Sequence, residues 1–155
     1  MGYWLTVHWP LRVDEAEDVQ WRNWVFIAEG WEGVGRDIGL GDRVFVYETQ
    51  TTPRVREGRR FVNRRPGRKG IIAVARVTTP LQDNPNAEVE ELEDGRRRRW
   101  RFHAETETEA EGLLPLEEVR NAMNKPGFST RIPGGLMGLN PQQFNRILRR
   151  FNRTV

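Results

Sequence analysis

Tryptophan is the residue type in this sequence with the most evident capacity for ligand chemistry. An indole ring stacks on planar heteroaromatic rings, and stacking contributes roughly 1–3 kcal/mol per base in nucleic-acid complexes. A chain of 155 residues rarely needs six indoles for its core, because a buried indole N–H requires a hydrogen-bond partner. Some of them are therefore predicted to line a binding site. The six are Trp4, Trp9, Trp21, Trp24, Trp31 and Trp100.

The neighbours of each indole separate core positions from candidate pocket positions. Trp4 and Trp100 alternate with apolar residues, which is typical of the core. Trp9 lies in a predicted Pro turn and Trp31 in a glycine-rich loop. At such positions an indole can either line a pocket or pack against the core, and both roles stay open. A base-binding pocket also needs polar groups that read the edge of the ring.

Tyr47 and Glu48, at the end of a predicted central strand, could supply those polar groups. Strand ends that carry Trp9, Trp24 or Trp31 could supply the stacking surface beside them. The residues therefore predict recognition of a planar base by aromatic stacking and edge contacts.

Positive charge is concentrated in one segment. The formal net charge is only +3, but residues 54–69 contain eight cations and a single acid, Glu57. Such a run either solvates a surface or contacts phosphates. The eight cations are Arg54, Arg56, Arg59, Arg60, Arg64, Arg65, Arg68 and Lys69.

Catalytic and metal chemistry find little support. The chain has no cysteine and two histidines, His8 and His103, so a zinc site would need several carboxylates. The only serine is Ser129, and no nucleophile or phosphate-loop motif is present. An acid–base pair of His8 with Glu48 stays open. The prediction is a binding protein without cofactor or metal, and not an enzyme.

Length and composition predict one soluble domain over residues 1–155. The chain is 37% hydrophobic and 30% charged, and no apolar run approaches the roughly 20 residues of a membrane span. The start of the sequence lacks a basic region leading into an apolar stretch, so we expect a cytoplasmic protein.

Apolar periodicity predicts a mixed α/β domain. Strands are predicted over residues 3–8, 24–28, 43–49, 70–79 and 100–105. A short helix is predicted over 14–21, whereas 29–42 and the basic segment are predicted as loops.

Two helices are predicted near the end of the sequence. The first follows Pro115. The second has Asn140 as N-cap, Pro141 at the first position, Gln143 at N3 and an apolar stripe from Phe144 to Phe151.

The ordered set of motifs resembles the EVE domain family of the PUA-like superfamily over nearly the whole chain. The motifs are GYWLTVHWP, GLGDRVFVYET, KGIIAVARVT, a WRF strand, a LEEVR helix and a closing Pro-Gln-Gln-Phe helix. The resemblance implies an α+β fold with a mixed five- or six-stranded β-barrel flanked by helices. It also implies a pocket for a modified base, above all a 5-methylcytosine type, flipped out of DNA.

The resemblance implies specific site residues. The segments that border the pocket contain His8, Trp9, Trp31, Tyr47, Glu48 and Thr49, with Trp24 and Trp31 both candidates for the stacking residue. Arg131 lies where members of that family often have a basic residue. Together with Arg54, Arg64, Arg65, Arg68 and Lys69, which the charge of their segment singles out, it is predicted to contact backbone phosphates.

Two alternatives accompany this reader interpretation. One is an RNA reader of the same fold. The other is a small amidohydrolase of the related ASCH group, acting on modified nucleosides with Glu48 and Lys69 as its acid–base pair. The sequence leaves the oligomeric state open.

Overall fold

Strands dominate the part of the chain that the structure describes. The computed structural model describes residues 1–8, 24–49, 54–57, 59–63, 69–85, 99–132 and 135–154. Within these ranges the chain forms nine strands and three helices. In chain order they are β1 (Tyr3–His8), β2 (Trp24–Ile27), α1 (Glu32–Gly35), β3 (Arg43–Glu48), β4 (Arg54–Glu57), β5 (Arg60–Asn63), β6 (Gly70–Val77), β7 (Gln82–Asp83), β8 (Trp100–Pro115), α2 (Leu116–Met123), β9 (Leu136–Leu139) and α3 (Pro141–Phe151).

One mixed sheet organises these elements. Its strand order is β2-β8-β6-β3-β1-β9, with the two-residue β7 added beside β8, while β4 and β5 form a separate hairpin. Neighbours on this path are antiparallel except β1 and β3, which are parallel. Because β1 and β3 run in the same direction, both end at the same edge of the sheet.

The sheet is curled, so that its two outermost strands approach each other. A Cβ atom on Gly135, directly before β9, would lie 3.7 Å from the carbonyl oxygen of Phe26 in β2. Leu136 of β9 packs in the same apolar cluster as Val25 and Ile27 of β2. The mixed sheet with flanking helices confirms the predicted α+β class.

The two faces of the sheet bury different clusters. The helix-side cluster joins Leu5 and Phe45 to residues of α2 and α3, including Val119 and Phe144. The inner cluster, on the concave side of the curl, contains Val44, Val25, Phe102, Ala75 and Leu136. Alternate residues of β1 and β3 therefore point into separate environments.

A buried carboxylate fixes the beginnings of β1 and β3. Asp42 is 4% exposed. Its oxygens accept hydrogen bonds from the backbone N–H of Gly2 at 2.8 Å and of Gly39 at 2.9 Å, and from the indole N–H of Trp4 at 3.0 Å. Burial alone raises the pKa of Asp42, but these three donors and the nearby amino terminus together lower it below its ordinary value.

The last helix forms as its sequence predicts. The Asn140 side chain accepts from the Gln143 backbone N–H, and the Gln143 side chain accepts from the Asn140 N–H, which completes a capping box ahead of Pro141. Phe144 stacks on Tyr3 of β1 at 4.3 Å and on Phe45 of β3 at 4.7 Å between ring centroids. α3 therefore covers the two parallel strands.

Several elements differ from the predictions. The basic segment 54–69, predicted as a loop, contains the β4–β5 hairpin. The glycine-rich stretch predicted as loop contains α1, and the strand predicted over 100–105 continues to Pro115. β9 was not predicted, because its four residues, LMGL, show no period-two pattern. The helix predicted over 14–21 lies outside the described residues.

Candidate functional site

The ends of β1 and β3 bring two of the predicted site residues side by side. The parallel register pairs His8 with Glu48. The backbone N–H and the hydroxyl of Thr49 both donate to the His8 carbonyl oxygen, at 2.9 and 3.3 Å. Since paired residues of parallel strands point to the same face, the imidazole and the carboxyl group share one side of the sheet.

Glu48 lies at the margin of an apolar surface on that side. Its side chain is 6% exposed, whereas His8 is half-buried. Val46, two residues earlier in the same strand, packs with Ile72 and Ala73 in a small buried cluster. The arrangement offers a carboxylate and an imidazole next to an apolar surface, which suits a flat ring with polar edges.

β6 begins at the same edge of the sheet, directly after the basic segment. Gly70, its first residue, pairs with Glu48 on one side and with Pro115 on the other. A Cβ atom at Gly70 would lie 2.5 Å from the Leu114 carbonyl oxygen, so only glycine allows this close approach. Lys69 precedes it with a left-handed φ of 55° and an exposed side chain.

The cations predicted to contact phosphates are described only in part. Arg54 begins β4, and Lys69 marks the return of the chain to the sheet beside Glu48. Arg131, in the connection between α2 and β9, is exposed, and its backbone N–H donates to the Ser129 hydroxyl at 3.2 Å. Trp9, Arg64, Arg65 and Arg68 lie outside the described residues.

Tyr47 lies on the other face of the sheet from His8 and Glu48. It is 1% exposed and packs in the helix-side cluster. Its hydroxyl group is buried and has no hydrogen-bond partner among the described residues. Burial raises the pKa of this hydroxyl, while the positive charge of Arg120 opposes the rise. The structure therefore does not bring Tyr47 together with Glu48.

The two candidate stacking residues of the described region also lie apart from each other. Trp31 directly precedes α1 and packs against the inner cluster. Trp24 alternates with Val25, which faces that cluster, so its ring lies on the outer face of the sheet. There it contacts Arg101 and His103.

Arg101 is a residue that the sequence reasoning missed. Its guanidinium carbon lies 3.7 Å from the centroid of the Trp24 ring. The available signal was the run RRRRWR over residues 96–101, together with the alternation that puts Arg101 and His103 on one face of the predicted strand.

Within the described residues, no group of histidine, aspartate or glutamate side chains is arranged to hold a metal ion. The helices of that same part of the chain are all too short or too polar to cross a membrane.

Comparison with known proteins identifies similar folds and no family. No family model matches the sequence, and no curated protein matches it. The chain is similar to a solved hypothetical protein from Leishmania major, with 17% identity, 99% of this chain and 96% of that chain covered, and a TM-score of 0.62. The chain is also similar to a solved protein from Pseudomonas syringae, with 15% identity, 95% of this chain and 97% of that chain covered, and a TM-score of 0.61.

A third similar structure is that of the human THYN1 protein in complex with DNA containing 5-methylcytosine. It has 17% identity, covers 96% of each chain and gives a TM-score of 0.58. At these identities the similarities establish the fold, which is the architecture expected from the resemblance to PUA-like proteins. Membership of the EVE family stays a prediction.

Proposed function

We propose that this protein is a non-enzymatic nucleic-acid reader, which binds DNA and holds a modified cytosine at the shared end of β1 and β3. The observation that carries the proposal is the pairing of His8 with the buried Glu48 at the edge where β3 ends and where β6 begins directly after the basic segment 54–69. The similarity to the fold of THYN1, solved with 5-methylcytosine DNA, supports the choice of ligand.

The chemistry of these side chains matches a cytosine ring. A carboxylate accepts a hydrogen bond from the exocyclic amino group of cytosine, so Glu48 is assigned to that group. His8 is assigned to a second polar position on the ring edge. The apolar cluster of Val46, Ile72 and Ala73 is assigned to the 5-methyl group, because methyl groups of bases are recognised by apolar contact.

Stacking in this proposal comes from Trp9, which follows His8 in the chain. A base leaves the duplex at a cost of a few kcal/mol, and stacking with edge contacts offsets that cost. Trp24 and Tyr47 are excluded from the base contact because their side chains lie on other faces of the sheet. Trp31 remains a candidate for the opposite side of the ring.

Phosphates on either side of the flipped base are assigned to cations of the basic segment and to Arg131. Lys69 adjoins Gly70, the backbone partner of Glu48. Arg54, Arg64, Arg65 and Arg68 belong to the same segment, and Arg131 adds a further exposed charge. Phosphate contacts position the strand and carry no sequence information.

The decisive experiment measures fluorescence anisotropy with matched oligonucleotides that differ only in cytosine or 5-methylcytosine. The expected result is about fourfold tighter binding of the modified strand, since the two bases differ by one methyl group and burial of such a group is worth about 0.8 kcal/mol. Glu48→Gln and Trp9→Ala should each reduce this preference. Glu105→Gln, which changes an exposed carboxyl group on β8, is the matched control.

Equal affinity of the wild-type protein for both oligonucleotides would overturn the proposal. The same panel with ribose-containing strands tests the RNA alternative: tighter binding of RNA would reassign the ligand class.

A second candidate function rests on the position of Lys69. The pairing of Gly70 with Glu48 places the lysine at the same edge as the carboxylate, as an amidohydrolase acting on modified nucleosides would require. Release of ammonia or a carboxylic acid from such nucleosides, abolished in Glu48→Gln, would favour the enzyme over the reader.

A further inference from the structure

The outer face of β2 and β8 carries a cluster of Trp24, Arg101 and His103 that the proposed base contact does not use. Trp24 pairs with His103 in the antiparallel register, and their rings meet edge to face at 5.0 Å between centroids. The guanidinium group of Arg101 lies over the Trp24 ring at 3.7 Å. All three side chains are half-buried.

Hydrogen bonds hold the histidine of this cluster in place. The Thr78 hydroxyl lies 2.6 Å from the Nδ1 atom of His103 and 3.2 Å from its carbonyl oxygen. The Thr79 hydroxyl accepts from the His103 backbone N–H at 2.8 Å. Trp24 therefore has a rigid edge contact on one side and the guanidinium group over its face.

Arg101 contains an unsatisfied donor. Its Nε atom is buried and finds no acceptor among the residues that the structure describes. An unpaired buried donor costs roughly 1–3 kcal/mol, and more when the group is charged. Stacking on an indole fixes the plane of a guanidinium group, and the terminal N–H groups in that plane can donate to an anionic oxygen.

The surrounding sequence is strongly cationic. Five of the six residues from Arg96 to Arg101 are arginines. Arg99 directly precedes β8 and is exposed; its guanidinium carbon lies 5.2 Å from the centroid of the Trp100 ring and its Nη1 atom 3.9 Å from Asp83. A stacked arginine alone would explain the contact with Trp24. The half-buried guanidinium group over Trp24 and the arginine run together indicate an anion with several oxygens.

We propose that Trp24 and Arg101 form a second phosphate-binding site, which takes a phosphodiester group of a polynucleotide. The inference takes from the proposed function only that the ligand is a nucleic acid. It does not depend on the proposed contact with a base. It places nucleic acid on the outer face of β2 and β8, in addition to the edge formed by β1 and β3.

The test measures affinity for an unmodified DNA duplex at several salt concentrations. Arg101→Met keeps most of the side-chain stem over Trp24 and removes the charge. Binding should weaken roughly tenfold at 50 mM salt, the value of one phosphate contact, and the slope of log K against log salt should fall by about 1. Arg101→Lys should recover part of the affinity, because it retains charge without the planar fork.

Arg76→Met is the matched control. Arg76 is an arginine of the same sheet whose charge already meets Glu107 at 3.3 Å, so its loss should leave the slope unchanged. If Arg101→Met lowers the melting temperature too far for binding studies, Arg101→Gln tests the same site with an uncharged polar side chain. An unchanged slope in a folded, uncharged Arg101 variant would overturn the inference.

The outcome is separable from that of the base-reading proposal. A smaller salt slope for Arg101→Met, together with no preference of the wild type for 5-methylcytosine, would support the phosphate site and contradict the base reader. A preference of the wild type for 5-methylcytosine, together with an unchanged salt slope for Arg101→Met, would support the base reader and contradict the phosphate site.

Discussion

At the scale of single residues, Asp42 links elements that are distant in the sequence. Its carboxyl group binds Gly2 and Trp4, which are 40 and 38 positions away. A charge-assisted hydrogen bond contributes more than a neutral one, and the loss of a partner leaves buried donors unsatisfied. A core position offers the indole N–H of Trp4 few acceptors, and the Asp42 carboxylate supplies one.

Asp42→Asn is predicted to lower the free energy of unfolding by about 1–3 kcal/mol at pH 7. Because the pKa of Asp42 in the folded protein lies below its ordinary value of 3.8, the carboxylate stabilises the fold above that pH. The stabilisation disappears as the pH falls through the folded pKa. Urea denaturation should therefore show a difference between wild type and Asp42→Asn that shrinks below pH 3.8.

Asp37→Asn is the control for this measurement. Asp37 is exposed and five positions away, so its substitution should change stability by no more than about 0.5 kcal/mol. A constant difference between wild type and Asp42→Asn across the acid range would contradict the assignment.

Tyr47 gives a second prediction at this scale. Its buried hydroxyl lacks a partner among the described residues, and burial keeps its pKa raised, so it stays a neutral donor. Tyr47→Phe should leave the free energy of unfolding unchanged or raise it by up to about 1 kcal/mol, because it removes an unsatisfied polar atom without creating a cavity. Thermal unfolding measures this, and a loss above 1 kcal/mol would mean that the hydroxyl has a partner.

At the scale of elements, the ends of β3, β6 and β8 depend on one glycine. Gly70 lies between Glu48 and Pro115, and an added methyl group would meet the Leu114 carbonyl oxygen at 2.5 Å. Backbone cannot move aside as a flexible side chain can. The close approach holds Lys69 and Glu48 at one edge of the sheet.

Gly70→Ala is accordingly predicted to reduce stability by about 1–3 kcal/mol through overpacking. It should also weaken DNA binding, because β6 and β8 must separate at the proposed site. Gly33→Ala is the matched control: the space around Gly33 is open to 4 Å, so stability should change by less than about 0.5 kcal/mol. Equal stability of the two variants by urea denaturation would refute the role of Gly70.

At the scale of the whole molecule, the distribution of charge matters more than its sum. A formal charge of +3 is small for a protein that binds a polyanion. The cations are grouped in the segment 54–69 and in the run 96–101, which create local positive fields that the average hides.

Salt dependence tests this distribution. If the six cations assigned around the base all contact phosphates of duplex DNA, log K should fall against log salt with a slope of about −5, or roughly a thousandfold between 50 and 200 mM. Arg131→Met should reduce the slope by about 1 at unchanged preference for the modified base. A slope near zero would show that the phosphate backbone contributes nothing.

The sequence by itself determined the elements whose signals are local. The capping residues Asn140 and Gln143, Pro141 and the apolar stripe of α3 all act within a few turns of one helix, and the prediction is confirmed there. The apolar runs of β1, β3 and β6 likewise predicted strands that the structure contains. Local hydrogen bonds and side-chain periodicity are encoded by neighbouring residues, so they can be read without a partner.

Only the tertiary structure decided which of these residues meet. The parallel pairing of β1 with β3 sets His8 beside Glu48 and turns Tyr47 to the other face. The pairing of β2 with β8 brings Trp24 to Arg101 across 77 positions of the chain. Strand partners and register depend on the packing of the complete sheet, because one strand pattern fits several neighbours equally well, so a single sequence predicts the strands and not the contacts between them.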